Sequence, residues 1–171
     1  MWIAHALTLS RIPLAIALWW AYGDAAATVT LVGLAALTDT LDGHVARAMK
    51  RRGVRGPDIG GWLDPLVDKL FVVAALVVIA GHGGDLRVLA LIGARELVMV
   101  PLVAIYLARS RPHRELRADV YGKAATVAQF VALAIVLGAP SWGLPAAIVA
   151  AVLGLTAVVH YAIRELRPGV R

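Results

Sequence analysis

The sequence predicts an all-α integral membrane protein: one domain over residues 1–171, with six transmembrane helices behind an N-terminal surface helix. Two observations carry that reading. The 171 residues are 60% hydrophobic and 16% charged, with a mean hydropathy of +0.77, more apolar material than a soluble core of this size needs. The apolar residues also come in helix-length blocks almost free of charge, which is the pattern of bilayer-crossing helices.

The blocks run over residues 8–22, 26–46, 62–80, 87–108, 121–138 and 144–163. Turn chemistry separates them: AYGD, the basic run KRRGVRGPDIGG, GHGGD, RSRPHRELRAD and GAPSWG. The opening MWIAHALTLSR is expected to lie along the membrane surface. An alternative reads it with IPLAIALWWA as a signal peptide, but five further apolar blocks follow.

Charge orients the bundle. Arg47, Lys50, Arg51, Arg52 and Arg55 lie between the second and third blocks, and Arg109, Arg111, Arg114 and Arg117 between the fourth and fifth. Arg164, Arg167 and Arg171 end the chain, while the alternate loops hold Arg87 alone. The positive-inside rule therefore predicts a multi-pass protein of the cell's inner (cytoplasmic) membrane with both termini cytoplasmic. Trp19, Trp20 and Trp142 then fall near the opposite interface, where indoles partition. The net charge of +6 sits at the ends of apolar runs and forms no separate basic domain, so no nucleic-acid partner is expected. The absence of cysteine excludes disulfides and thiolate chemistry.

Against this background the acidic residues are concentrated. Four of the eleven, Asp39, Asp42, Asp64 and Asp68, stand at the predicted cytoplasmic ends of the second and third blocks. Asp39 and Asp42 are spaced to share a helix face, as are Asp64 and Asp68. If the two helices pack as antiparallel neighbours, four carboxylates meet at the cytoplasmic edge of the hydrocarbon, where unpartnered charge is costly. Hard divalent cations, Mg²⁺ or Mn²⁺, suit such an all-oxygen set. Solvated salt bridges to the neighbouring basic loop, or an ion pathway through the bundle, are the competing readings. An EF-hand is excluded because the run from Asp39 lacks alternating oxygen ligands and has Lys50 where the closing Glu belongs. Neither a Walker loop nor a Ser-His-Asp set is present.

Gly43, Ala46 and Gly60 near these acids would let a flat ligand approach the backbone. Arg47, one turn beyond Gly43, is placed for a phosphate. Small residues also serve plain helix packing, which is the expectation for Gly33 and Gly154. Together the features suggest a nucleoside diphosphate substrate.

The pattern Asp39-x-x-Asp42-Gly43-x-x-Ala46-Arg47, then Gly60-x-x-x-Asp64-x-x-x-Asp68, resembles the signature of the CDP-alcohol phosphotransferases. The gap AMKRRGVRGPDI between its halves is longer than usual in that family. The resemblance implies two Mg²⁺ or Mn²⁺ ions held by Asp39, Asp42, Asp64 and Asp68, with Asp68 also acting as base on the acceptor hydroxyl. It implies that Asp42, Gly43, Ala46, Arg47 and Gly60 take the nucleotide of CDP-diacylglycerol, and that the enzyme is a homodimer.

The segments LIGARELV and YGKAATVAQ look like those of the family's phosphatidylglycerophosphate synthases. That likeness implies glycerol 3-phosphate as acceptor, with Lys123, Arg117 and Arg95 receiving it. Phosphatidylglycerol, inositol phosphate or another polar alcohol are alternatives, as is, from another class, a divalent-cation transporter. The segments depart from the synthases at Ala125, where those have a second lysine, and at VPLVA, where they have a further arginine. Arg95 and Glu96 lie inside an apolar run and are expected to face the protein interior, either paired with buried charges or on substrate. Lys123 could equally snorkel to the interface. His44 is expected to be solvated, and Pro101 to kink the fourth block.

Overall fold

The computed structural model describes residues 9–51, 60–108 and 120–166, with the side chains at 42–43, 46–51, 60–68, 103–108 and 164–166 outside that description. The described residues are helical apart from short turns. Seven α-helices run in order: α1 Arg11–Ala21, α2 Ala25–Arg51, α3 Gly60–Gly81, α4 Leu86–Ile92, α5 Ala94–Ala108, α6 Val120–Gly138 and α7 Gly143–Leu166. A 3₁₀ turn, Pro140–Trp142, joins the last two. Residues 1–8, including most of the expected surface segment, lie outside the described residues.

Local chemistry sets the boundaries. At the first turn Gly23 adopts φ 98°, and the Asp24 carboxylate accepts from Ala27 N–H at 3.0 Å, capping α2. The α3–α4 turn repeats the device. Gly83 adopts φ 79°, Gly84 N–H bonds back to the Ile79 carbonyl at 2.9 Å, and Asp85 caps α4 through Arg87 N–H at 2.8 Å. Both positive-φ positions suit glycine, which has no Cβ to clash there. The two turns meet at one end of the bundle: Tyr22 stacks on His82 with ring centroids 3.9 Å apart, and Trp19 lies 5.2 Å from the same ring.

The fourth apolar block is not one helix. It breaks at Gly93, which turns with φ −82° and ψ −3°, while α5 runs on through Pro101. The interruption thus falls about two turns before the proline, whose missing N–H takes a second bond out of the ladder, the one to the Leu97 carbonyl.

α6 and α7 form an antiparallel hairpin against which α2, α4 and α5 pack, and α1 lies against both α2 and α3. The core is aliphatic and aromatic, with Leu18, Val32, Phe71, Ile92, Phe130 and Leu133 buried, and Phe71 stacks on Phe130 at 5.8 Å. Outward faces are aliphatic too: Val77, Val127, Val131, Val149 and Val152 are exposed. Helices apolar on every side suit a lipid surround. Among the described residues two are long and apolar enough to cross a membrane, Val120–Gly138 and Pro140–Ile163, with Arg11–Ala21, Ala25–Leu41 and Lys69–Gly81 as shorter apolar helices.

Glycines divide by location. A Cβ at Gly122 would overlap the Tyr161 hydroxyl, so this side chain of α7 takes the space that the bare position on α6 leaves. Gly154 leaves room for the stem of Arg95, as expected of a packing glycine. Gly33 does not follow that expectation: a Cβ there meets nothing within 4 Å among the described residues, because it is on the outer face of α2. Gly122→Leu should therefore destabilise the protein by about 1–3 kcal/mol through overpacking. Gly33→Ala should be neutral or stabilising by up to about 1 kcal/mol through helix propensity. Melting curves of the two variants in detergent check both.

Candidate active site

Of the four predicted aspartates, Asp39 is the one whose side chain is described, and it is not left to solvent. Its Oδ1 accepts from Arg11 Nη2 at 3.2 Å, with the arginine side chain 0% and the aspartate 29% exposed. Arg11 opens α1 and Asp39 lies midway along α2, so the α1–α2 hairpin brings them side by side. A fully buried guanidinium needs an anion, and a carboxylate at the edge of hydrocarbon needs a cation. Sequence reading missed this partner. The signal was a lone arginine at the mouth of an apolar run.

Asp42, Gly43, Ala46 and Arg47 follow Asp39 along α2, and Gly60, Asp64 and Asp68 lie in the first half of α3. Their side chains lie outside the described residues, as does the whole of Arg117. Asp39 and Asp42 are one turn apart on a continuous helix, as are Asp64 and Asp68. Among the described side chains no group of three or more His, Asp or Glu gathers. His44 is exposed, its Nδ1 2.7 Å from the Thr40 carbonyl, in keeping with a solvated role.

The second cluster links the broken span to α6. Arg95 Nη1 donates to Thr126 Oγ1 at 3.0 Å, and Thr126 in turn donates to the Gly122 carbonyl at 3.1 Å. Gln129 Nε2 donates to Glu96 Oε2 at 2.7 Å and to the Ile92 carbonyl at 2.9 Å. Of the two expectations for Arg95 and Glu96, pairing with other buried charges is not what the described residues show: the partners are a neutral hydroxyl and a neutral amide. Neighbours in sequence diverge by about 100° around a helix, so the two charges meet α6 one turn apart. Lys123 is exposed and precedes Thr126 by one turn on α6. Gln129 and Thr126 were also missed, although an amide within a long apolar helix is itself a signal that a partner is waiting.

The two clusters lie at one level. Gly138, at the end of α6, packs on Val29 near the start of α2, and the helices run in opposite directions from there. With equal rise per residue, counting along both helices from that contact brings Thr126 level with Leu41 and Gln129 level with Thr38. Asp39 lies between those heights. The oppositely charged groups that sequence assigned to separate roles thus share one layer of the bundle.

Comparison with known proteins places the chain in a family. The profile of the CDP-alcohol phosphatidyltransferase family matches residues 1–162. A cardiolipin synthase (CMP-forming) of Oryza sativa subsp. japonica is 35% identical over 159 residues, covering 82% of this chain and 46% of that protein. A CDP-diacylglycerol–glycerol-3-phosphate 3-phosphatidyltransferase of Pseudomonas fluorescens is 35% identical over 126 residues, 71% of this chain and 60% of that protein. The namesake from Salmonella choleraesuis is 34% identical over 136 residues, 75% of this chain and 72% of that protein. The first two relatives are thus matched over about half of their own length. With aspartate-bearing helices α2 and α3 and a profile match over nearly its whole length, the chain belongs to the CDP-alcohol phosphatidyltransferase family.

Proposed function

We propose that this chain is a multi-pass phosphatidyltransferase of the cytoplasmic membrane that moves the phosphatidyl group of CDP-diacylglycerol to glycerol 3-phosphate and releases CMP. The observation that supports it most is the Asp39–Arg11 pair inside the family signature. It holds one carboxylate oxygen in place and leaves a carboxylate, still partly accessible, on the helix face that carries Asp42. That donor chemistry fits a hard divalent cation. Asp39, Asp42, Asp64 and Asp68 are the residues that would hold two Mg²⁺ or Mn²⁺ ions. When bound, the ions would neutralise the diphosphate and ease departure of CMP.

The chain's own residues have distinct tasks. Arg47 is proposed to bind a phosphate of the donor, while Gly43, Ala46 and Gly60 make room for cytidine. Asp68 orients the acceptor hydroxyl and takes its proton. The acceptor oxygen then bonds to the phosphorus of the phosphatidyl group as the bond from that phosphorus to CMP breaks. Arg95, Lys123 and Arg117 receive the acceptor's phosphate, and the level of Arg95 with Asp39 supports this assignment.

The likeness to the rice protein favours a second acceptor, phosphatidylglycerol, which also presents a glycerol hydroxyl near a phosphate. Ion transport gains no support from the opposite end of the bundle. There the buried groups are Leu18, Val32, Val78 and Ile79, and the buried Thr28 hydroxyl bonds back to the Asp24 carbonyl at 2.8 Å.

CMP release should occur with purified protein, CDP-diacylglycerol, Mg²⁺ or Mn²⁺ and glycerol 3-phosphate, and should stop on chelation. Release with phosphatidylglycerol alone would overturn the acceptor, and no release with any alcohol would overturn the transferase reading. Arg11→Leu should lower stability by about 3–5 kcal/mol, since it strands a carboxylate, whereas Arg11→Leu with Asp39→Asn should recover part of the loss. Melting temperatures of the single and double variants decide this.

A further inference from the structure

Gln129 is a neutral amide only 3% exposed in the middle of α6. It is also committed on both N–H bonds. Both partners, the Ile92 carbonyl and the Glu96 carboxylate, are acceptors, so the amide nitrogen must face them. Ile92 ends α4. Around the break the backbone ladder is carried by Gly93 N–H to the Leu89 carbonyl at 2.9 Å and Leu97 N–H to the Gly93 carbonyl at 3.0 Å. The Ile92 carbonyl accepts instead from Gln129, which stands in for the helical donor that the break removes. One side chain thus fixes the end of α4 and the first turn of α5.

The second bond has an electrostatic consequence. Glu96 is covalently next to Arg95, and a carboxylate in a poorly solvated layer seeks the nearest donor. Gln129 meets that need with a neutral group on α6, one turn deeper than Thr126. The carboxylate is thereby held away from the guanidinium, whose stem rests on Gly154 and whose Nη1 donates to Thr126. Without Gln129 the Glu96 carboxylate would lose this donor and, to pair with the adjacent Arg95, would have to swing round the helix towards it. An Arg95–Glu96 pair would cancel the charge that an anionic ligand needs.

We propose that Gln129 is a positioning residue for the acceptor: by gripping the Ile92 carbonyl and the Glu96 carboxylate, it keeps Arg95 available to a phosphate ester of glycerol. The inference rests on the transferase reading above and extends it to a residue that touches neither substrate nor metal. The shared chemistry is a glycerol phosphate, either the soluble monoester glycerol 3-phosphate or the lipid diester phosphatidylglycerol, and assays with each distinguish them.

The test combines steady-state CMP release with calorimetric titration of glycerol 3-phosphate into the full chain. Gln129→Leu should raise the KM for the productive acceptor about tenfold or more, as loss of a charged-group hydrogen bond does, with kcat and the donor KM little changed. Adding Glu96→Gln to that variant should restore acceptor affinity, because the competing charge is gone. A merely structural role for Gln129 would give no such rescue. Glu96→Gln alone, which does not depend on the Gln129 variant folding, should leave acceptor affinity unchanged or tighter. Weakening by Glu96→Gln, a parallel loss of kcat at constant KM, a tenfold rise that Glu96→Gln fails to reverse, or no calorimetric binding to the unsubstituted chain would each overturn the proposal. Calorimetric binding that follows the expected order without any CMP release would support the positioning role while rejecting the transferase reading.

Discussion

A charge carried into a layer of hydrocarbon must be met there, and the Arg11–Asp39 contact at 3.2 Å is where this bundle meets it. Removing the aspartate has the larger cost, because the guanidinium is fully buried while the carboxylate is partly exposed. The pair fixes the height of α1 against α2. α1 also packs on α3, so it is the helix that lies against both aspartate-bearing helices, α2 and α3.

The second polar layer follows the same rule with different means. Arg95 and Glu96 are opposite charges side by side in the chain, and the bundle keeps them apart by giving each a neutral partner on α6. The broken span makes this possible. The break at Gly93 leaves the Ile92 carbonyl without its helical donor, and the Gln129 amide supplies one. Break, amide and separated charges form one arrangement, positioned by α6 at the level of Asp39.

Much of this was legible in residues. The turn segments AYGD and GHGGD marked the breaks at Gly23 and Gly83, and the apolar blocks fell within a few residues of the helices because charge and turn residues bound them. The break at Gly93 was not legible. A glycine inside an aliphatic run is compatible with a continuous helix, and Pro101 drew attention because its effect on the backbone is local, whereas the break at Gly93 depends on an amide far away in sequence. Arg11 was readable as a charge but not as Asp39's partner, because pairing depends on how the α1–α2 hairpin closes. The aspartate signature itself was legible because helix periodicity alone puts those residues on common faces.

Asp39, Asp42, Asp64 and Asp68 are proposed to form a two-metal site for a diphosphate. The most direct measurement is electron paramagnetic resonance of Mn²⁺ titrated into the purified protein with CDP-diacylglycerol present. Two ions per chain with spin coupling between them, lost in an Asp64→Asn variant, are the expected result. A single isolated ion, or binding indifferent to that substitution, would contradict the site and with it the mechanism built on it.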